Sequence, residues 1–510
     1  MSQPSSRGFI DTESARLVMA DETRTHDADV IVVGGGNAAF TAAHAAAERG
    51  RRVVLLEKAP EDEAGGNSFY TAGATRISHA GLEDLSDLVE PDPRHEVTTV
   101  PAYTPEDYRA DLERVTGGRN DPELTEVLVR EAAPTLRWLH GLGLRYRLMY
   151  ERQAYLQADG TYLFWGGLHV GNVGGGEGLI EDHLRVARRL GVDIRYQHRV
   201  VALLVEDGAV AGVRAETGEG PVELRAESVI LAAGGFEASP EMRAKYLGER
   251  WSHAKVRGTP YNTGEVLEAA LDLGAGRGGD WASCHSVQWD AWNPENESNR
   301  ALTNRLTRQS YPLGILVNTR GERFLDEGAD FRNYTYAKYG KVILEQPGSL
   351  AFQVFDASTR DMLRVEEYQM PGVSEIVADT PEELAEKMGV DAQALRRTLD
   401  EFNASIDDAK ESDPNVLDGR RAEVTPPKSN WARAIASAPY YAYPVTCGIT
   451  FTFGGLKSDT HGRVQDEAGN TIPGLFVAGE MLGGLFADNY PGGSGLAAGC
   501  VFGRRAGSLA

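Results

Sequence analysis

Three consecutive glycines, Gly34-Gly35-Gly36, constrain this chain more than any other feature, because of what flanks them. Residues 28–33 (ADVIVV) precede them and predict a buried parallel strand. Ala38–Arg49 follows as an alanine-rich helix ended by Gly50, and Arg52–Glu57 predicts the next strand. This is one βαβ unit of about 30 residues. Its turn fits G-x-G-x-x-[G/A] through Gly34, Gly36 and Ala39. Gly34 permits the tight turn, Gly36 lets backbone approach a pyrophosphate, and Ala39 allows close helix–strand packing. The helix start at Asn37 and Ala38 offers partial positive charge to that pyrophosphate. Glu57 ends the second strand, where a carboxylate accepts hydrogen bonds from both hydroxyls of a ribose. Strand, glycine turn, helix and acid together point to a dinucleotide.

The chain has 510 residues, more than one core accommodates. Residues 105–147 read as helices, Gly178–Leu190 as a helix and Val192–Tyr196 as a strand. Val200–Glu206 and Ala209–Glu216 predict a hairpin turning at Asp207-Gly208, and Ser228–Ala233 a buried strand. The texture changes between about 280 and 430, where tryptophan and asparagine cluster and a charged helical stretch follows. That predicts an inserted second domain over residues 281–430. Glycine-rich apolar sequence then returns, with a strand at Leu475–Ala478 and a final helix at Gly495–Ala506. Residues 1–26 are polar and acidic and read as a flexible tail.

Acidic residues outnumber basic ones, 75 against 52, for a formal charge of −23. Such a chain repels nucleic acid and anionic lipid, so neither is expected as a partner. Cys284, Cys447 and Cys500 are too few and too scattered for a disulfide scaffold, an iron–sulfur site or haem attachment, and no metal site is expected. No apolar run reaches 18 residues, so no integral membrane segment is expected, and the plain reading is a cytoplasmic protein.

The second strand is followed by Lys58 and then by Gly65-Gly66-Asn67-Ser68. A flavin dinucleotide needs further backbone donors along its ribityl chain, and this loop supplies them. Thr71-Ala72-Gly73 lies next, placed to approach a flavin ring.

Here the sequence resembles the fumarate reductase/succinate dehydrogenase flavoprotein superfamily. Among soluble members it is most similar to FAD-dependent tricarballylate dehydrogenase. The matching stretches include VIVVGGGNAAFTAAHAAAERGRRVVLLEKAP, GGNS, YPLGILVNTRGERFLDEGADFR, YAYPVTCGITFTFGG and NYPGGSGLAAGCVFGRRAG. The resemblance implies an α/β chain: a Rossmann-type FAD-binding domain built from both chain ends (27–280 and 431–510), with an inserted α+β capping domain (281–430). It also implies the FAD contacts. Gly34, Gly36, Asn37 and Ala38 would serve the pyrophosphate, and Glu57 and Lys58 the adenosine ribose. Gly66, Asn67, Ser68, Thr71, Ala72 and Gly73 would line the ribityl chain and ring. Val200, Ala233 and Gly234 would pack near the adenine, with Thr263 and Gly264 nearby. Gly479 and Glu480 match the family's AGE, and Ser494, Gly495 and Leu496 would offer amides to the flavin pyrimidine. Respiratory members attach flavin through a His in the loop after the βαβ unit. This chain has Asn67-Ser68-Phe69-Tyr70 there, so non-covalent FAD is expected.

The family moves a hydride between flavin N5 and one carbon of a C–C bond, while a side chain handles the neighbouring proton. In carboxylate-acting members that side chain is an Arg after RF-x-[ND]-E. Here Arg332 follows Arg323-Phe324-Leu325-Asp326-Glu327, one residue later than usual. His285 lies where the family often has a substrate-binding His. Two departures remove donors: Phe451-Thr452-Phe453-Gly454-Gly455 stands for HTMGG, and Tyr490 replaces an Arg before Gly492-Gly493. Tyr490 is also similar to the ketone-polarising Tyr of 3-ketosteroid Δ1-dehydrogenases. A phenol there donates to a carbonyl or a carboxylate. Arg76, Arg305 and Arg308 are further candidates for holding a carboxylate. Trp165 and His169, in the aromatic and glycine-rich segment 162–176, are candidates for the pocket wall.

Catalytic expectation therefore rests on Arg332, Tyr490 and His285. Substrate binding rests on Arg76, Trp165, His169, Arg308, Phe451 and Gly493. The predicted reaction forms, or in reverse reduces, a C=C bond beside a carboxylate or carbonyl. An external acceptor such as a quinone or an electron-transfer protein would take the electrons. The alternatives are a ketosteroid-type dehydrogenase acting on an apolar ketone and a non-catalytic flavin-binding protein.

Overall fold

The computed structural model describes residues 26–157, 159–164, 166–294, 297–407 and 409–510. The expected tail and Trp165 therefore lie outside the described residues, His26 excepted. The chain is mixed α/β. Its first sheet has six strands in the order Arg463–Gln465, Thr471–Val477, Ser228–Leu231, Val30–Val33, Val53–Leu56, Asp193–Arg195. All neighbours are parallel except the first pair. Val30–Val33, Val53–Leu56 and Ser228–Leu231 are buried at every position. This is why they read as unbroken apolar runs: a parallel sheet covered on both faces has no polar side to show.

One face is covered by two helices, Asn37–Glu48 and Ser494–Leu509. They pack backbone to backbone along Gly499, Gly503 and Gly507. A Cβ on Gly503 would stand 2.6 Å from the Ala38 carbonyl oxygen, and one on Gly507 2.1 Å from that of Ala42. Only glycine at these four-residue intervals allows the approach, and it joins sequence near residue 40 to sequence near residue 500. Pro122–Leu142 packs on the closing helix. Its start is capped by the Asp121 carboxylate, which accepts from the amides of Glu123 and Leu124, with Pro122 at the first helical position. The expected hairpin is present as Arg199–Glu206 and Ala209–Thr217, with Gly220–Arg225 as a third antiparallel strand.

A second sheet is organised by one long strand, Tyr440–Thr452. It pairs with Cys284–Asp290, Ala351–Asp356, Ile376–Ala378 and Lys255–Val256, and Ile315–Asn318 extends the sheet from Ala351–Asp356. Helices Pro381–Met388 and Ala392–Ala404 close over it, with Leu384, Leu395, Leu399 and Phe402 packed on Ile315, Val317, Phe352 and Val354. Residues 440–452 thus belong, by pairing, to the same sheet as strands from 281–430. The three cysteines are buried and free. Among the described residues, no helix is long and apolar enough to cross a membrane.

Candidate functional site

One cavity runs along the C-terminal ends of the parallel strands, where open α/β sheets hold ligands, and continues under the second sheet. Its first half is backbone. Gly34 has φ +118°, and a Cβ there would stand 2.2 Å from the Ala232 carbonyl oxygen. A Cβ on Gly35 would reach to 2.3 Å from Glu57 Oε2. The glycines thus leave a cradle that any side chain would fill. The amide of Asn37 donates to Ser68 Oγ (3.0 Å), tying the helix start to the following loop. Asn37 Nδ2 donates to the Leu496 carbonyl (3.0 Å), and its Oδ1 meets His183 Nε2 (3.0 Å), which leads on to His44. Burial holds His183 down to about 3 and His44 well below the usual histidine range, so both are neutral. Glu57 is buried. Burial raises its pKa, against the pull of the Ala59, Lys58 and Gly35 amides. Lys58 ion-pairs with Glu265 (2.8 Å) and donates to Thr263 and to the Tyr261 carbonyl.

At mid-length two carboxyl groups meet. Glu480 Oε1 accepts from the Thr452 amide (2.7 Å) and hydroxyl (3.1 Å). Glu237 Oε1 accepts from Asn67 Nδ2 (2.5 Å) and Asn262 Nδ2 (2.6 Å). Burial raises both acids, and Glu237 pushes Glu480 well above the carboxylate range.

The far half is side chains. His285 and Phe451 oppose each other in the register of strands Cys284–Asp290 and Tyr440–Thr452. Neither His285 nitrogen has a hydrogen-bond partner among the described residues, and the ring is 2 % exposed. Burial first, then Arg257, keep its pKa well below the usual value, so the ring is neutral. Tyr490 and Tyr336 share a hydroxyl–hydroxyl bond of 2.5 Å beside it, and burial raises both phenols. Arg257 is buried. Its guanidinium contacts are the neutral Asn304 and Thr450 side chains. Arg332 donates to Gln309 Oε1 (3.4 Å), the Arg152 carbonyl (3.1 Å) and Gln153 Oε1 (3.3 Å). Arg364 donates to that same carbonyl at 2.5 Å. Burial, followed by the charges of Arg364 and Arg152, lowers Arg332 to about 10. The carboxylates nearby are Glu367, paired with Arg364 (3.0 Å) and Arg152 (3.4 Å), and Glu366, paired with Arg152 (2.6 Å). Among the described residues, four guanidiniums therefore face two carboxylates.

Of the residues expected to bind FAD, Gly34, Gly36, Asn37, Ala38, Glu57, Lys58, Gly66, Asn67, Ser68, Thr71, Ala72, Val200, Ala233, Gly234, Gly264, Gly479, Glu480, Gly495 and Leu496 line this cavity. Gly73, Thr263 and Ser494 stand behind its wall. Gly73 packs on Gly175, Thr263 holds Lys58, and Ser494 Oγ accepts from Tyr108 at 3.0 Å. Arg332, Tyr490, His285, Phe451 and Gly493 line the far half together.

Three substrate-binding expectations are placed elsewhere. Arg76 is fully buried outside the cavity lining, donates to Gly492 O (2.9 Å), Tyr103 OH (2.8 Å) and Gly166 O (2.6 Å) and lies 3.6 Å from the Asp111 carboxylate, so it braces the Gly492-Gly493 loop from behind. Arg308 is buried in an ion pair with Asp290 at 2.5 Å. His169 pairs with His79 (2.9 Å) away from the cavity. Arg305 is exposed. Conversely, Arg152, Arg257, Arg364, Tyr336, Asn304 and Gln309 line the cavity without having been singled out. No motif marks them. The one available signal was charge balance: with the family's His and Arg replaced at Phe451 and Tyr490, a carboxylate pocket needs cations from other segments.

The cradle fits FAD: a glycine turn at a helix start, an acid at the next strand end, and a trough continuing far beyond them. Residues 29–496 match the family described as FAD binding domain. A probable fumarate reductase, Ifc3, from Shewanella frigidimarina is 30% identical over 494 residues, covering 94% of this chain and 74% of that protein. A 3-oxosteroid 1-dehydrogenase from Mycobacterium tuberculosis is 27% identical over 550 residues, covering 92% and 95%. The open conformation of a flavocytochrome c3 fumarate reductase superposes with a TM-score of 0.70 at 27% identity, covering 94% of this chain and 77% of that one. The chain belongs to the FAD binding domain family, within the fumarate reductase/succinate dehydrogenase flavoprotein superfamily, and is an FAD-dependent oxidoreductase acting on C–C bonds.

Proposed function

We propose that this enzyme dehydrogenates a polycarboxylic acid to its alkene, in the manner of tricarballylate dehydrogenase, on dissociable FAD. The observation that carries the reading is the excess of buried guanidinium in the far half of the cavity. Among the described residues, Arg152, Arg257, Arg332 and Arg364 face the carboxylates of Glu366 and Glu367. A buried cation without a counterion is costly, and a substrate carboxylate removes that cost. Arg257 supplies the charge that Phe451 and Tyr490 do not, and the open nitrogens of His285 supply a donor beside it.

Forming the alkene removes a hydride from one carbon and a proton from its neighbour. Flavin held at this site would supply the hydride acceptor. Arg332 takes the proton: burial and its cationic neighbours bring its pKa down to about 10, which makes the neutral guanidine accessible. In the reverse direction the protonated form returns it. Tyr490, bonded to Tyr336, donates to a carboxylate or carbonyl oxygen. The electrons leave to a separate acceptor, a quinone or an electron-transfer protein.

A second reading has one observation in its favour. Phe451, Phe453, Phe486 and Tyr490 form an aromatic wall that suits an apolar ketone. Anaerobic titration of the holoenzyme with tri- and dicarboxylic acids and, separately, with steroid ketones distinguishes the two. Bleaching of the flavin absorbance by acids alone is the expected result. Bleaching by ketones alone overturns the proposal.

A further inference from the structure

Glu237 and Glu480 come from different segments, the loop after strand Ser228–Leu231 and the loop after strand Thr471–Val477. Glu237 is fully buried, whereas Glu480 lines the cavity. Their hydrogen bonds are complementary. Both amide donors to Glu237 arrive at Oε1, from Asn67 and Asn262, and no donor among the described residues reaches Oε2. On Glu480, Oε1 takes both donors from Thr452. Each carboxyl acts on the other as a side-chain hydrogen-bonding partner, and Gly235, two residues before Glu237, packs against Glu480 Oε1. Two carboxylates cannot bond to each other without a proton, and an acceptor left bare in the interior is costly. One proton between them satisfies both.

The surroundings are short of positive charge. Arg243, on helix Pro240–Leu247, is the guanidinium that senses Glu237, and the thiol of Cys284 senses it as well. Asn67, Asn262 and Thr452 are neutral, and the wall beside Glu480 is Gly235, whose Cβ would stand 2.1 Å from Glu480 Oε1. A second negative charge would have no counterion in contact.

The pair's place along the cavity gives it a role. Gly479 abuts Ala38 at the pyrophosphate cradle, and Thr452 adjoins Phe451 at the reaction end. Between the two lies the stretch for the hydroxyl-bearing ribityl chain. We propose that Glu237 and Glu480 act as a single proton-sharing carboxyl pair, and that FAD binding requires the shared proton to be in place. Glu237 is then a positioning residue. It keeps Glu480 protonated and oriented, and it keeps the wall at one negative charge where a dianionic dinucleotide must enter. When the proton leaves, the pair becomes a dianion facing a dianion, and affinity drops.

The test is FAD binding to apoprotein, followed by fluorescence quenching from pH 6 to 9.5, for the wild type, Glu237→Gln and Glu480→Gln. In either amide variant a single carboxyl remains, so the wall never exceeds one charge. The expected result is at least a tenfold alkaline loss of affinity in the wild type and a flat profile in Glu237→Gln. The Lys58–Glu265 pair is common to all three proteins, so its effect cancels in the comparison. A flat wild-type profile, or an unchanged alkaline loss in Glu237→Gln, overturns the proposal. Should the variants fail to fold, the infrared stretch of a protonated carboxyl decides it on wild-type holoenzyme. Its presence at neutral pH and disappearance in alkali support the pair, and its absence at neutral pH refutes it.

Discussion

The two halves of the cavity are built on different principles. The glycine-lined half is made by tight loops at the ends of neighbouring strands, and its contacts are backbone groups fixed by the sheet. The arginine-lined half is assembled from long side chains rooted at 152, 257, 332 and 364, with Arg257 and Arg332 held by amides, a hydroxyl and a carbonyl, and Arg152 and Arg364 paired with Glu366 and Glu367. At Gly34 and Gly35 the first half tolerates no added atom, whereas the second is tuned by charge. Substitutions should therefore act on cofactor content at one end and on turnover or substrate affinity at the other.

The largest effect is expected for Gly34→Val. The φ of +118° and the 2.2 Å approach to Ala232 forbid a side chain, so flavin content should fall below about a tenth of wild type, read from absorbance per protein. Normal flavin content in that variant would break the contrast. Arg332→Gln should retain its flavin and lose turnover by about 100-fold or more, the usual size of a lost proton-transfer group. A variant as fast as wild type removes Arg332 from the chemistry. Arg257→Gln should raise KM for a carboxylate about tenfold or more, equivalent to about 1.4 kcal/mol, with a smaller change in kcat. An unchanged KM would place the substrate elsewhere.

The most graded effect is with pH. His183 has its folded pKa depressed to about 3 from an ordinary value near 6.5. The unfolded chain takes up a proton first as pH falls. The contribution to stability is thus complete above about 6.5 and is lost progressively toward about 3, by up to about 1.4 kcal/mol per pH unit. Because His183 holds Asn37, flavin retention should weaken over the same range, and His183→Gln should retain flavin to lower pH. Equal acid sensitivity in both proteins would assign the loss to other groups.

The same division explains what the sequence made legible. Gly34, Gly36 and Glu57 announce themselves because backbone geometry leaves one solution, which repeats as a spacing. Gly495 and Leu496 follow the same logic at a helix start. Arginines leave no such mark. Arg76 and Arg308 were plausible by residue type, yet packing turned one toward Gly492 and Tyr103 and the other toward Asp290. Arg257 and Arg364 act at a distance from their Cα atoms, and nothing in their neighbours' identities reveals where a flexible guanidinium ends. The strand Tyr440–Thr452 was hidden for a related reason. Its thirteen residues serve the second sheet for most of their length and the cavity at Thr450, Phe451 and Thr452, so no single periodicity describes it.

The glycine seam between helices Asn37–Glu48 and Ser494–Leu509 also bears on biosynthesis. The phosphate-binding turn is translated long before the helix surface that supports it. Everything between, including the whole second sheet, must be made while the turn lacks its buttress. Vectorial folding of the N-terminal part can proceed, but cofactor capture must wait until the polypeptide has been synthesised to that point.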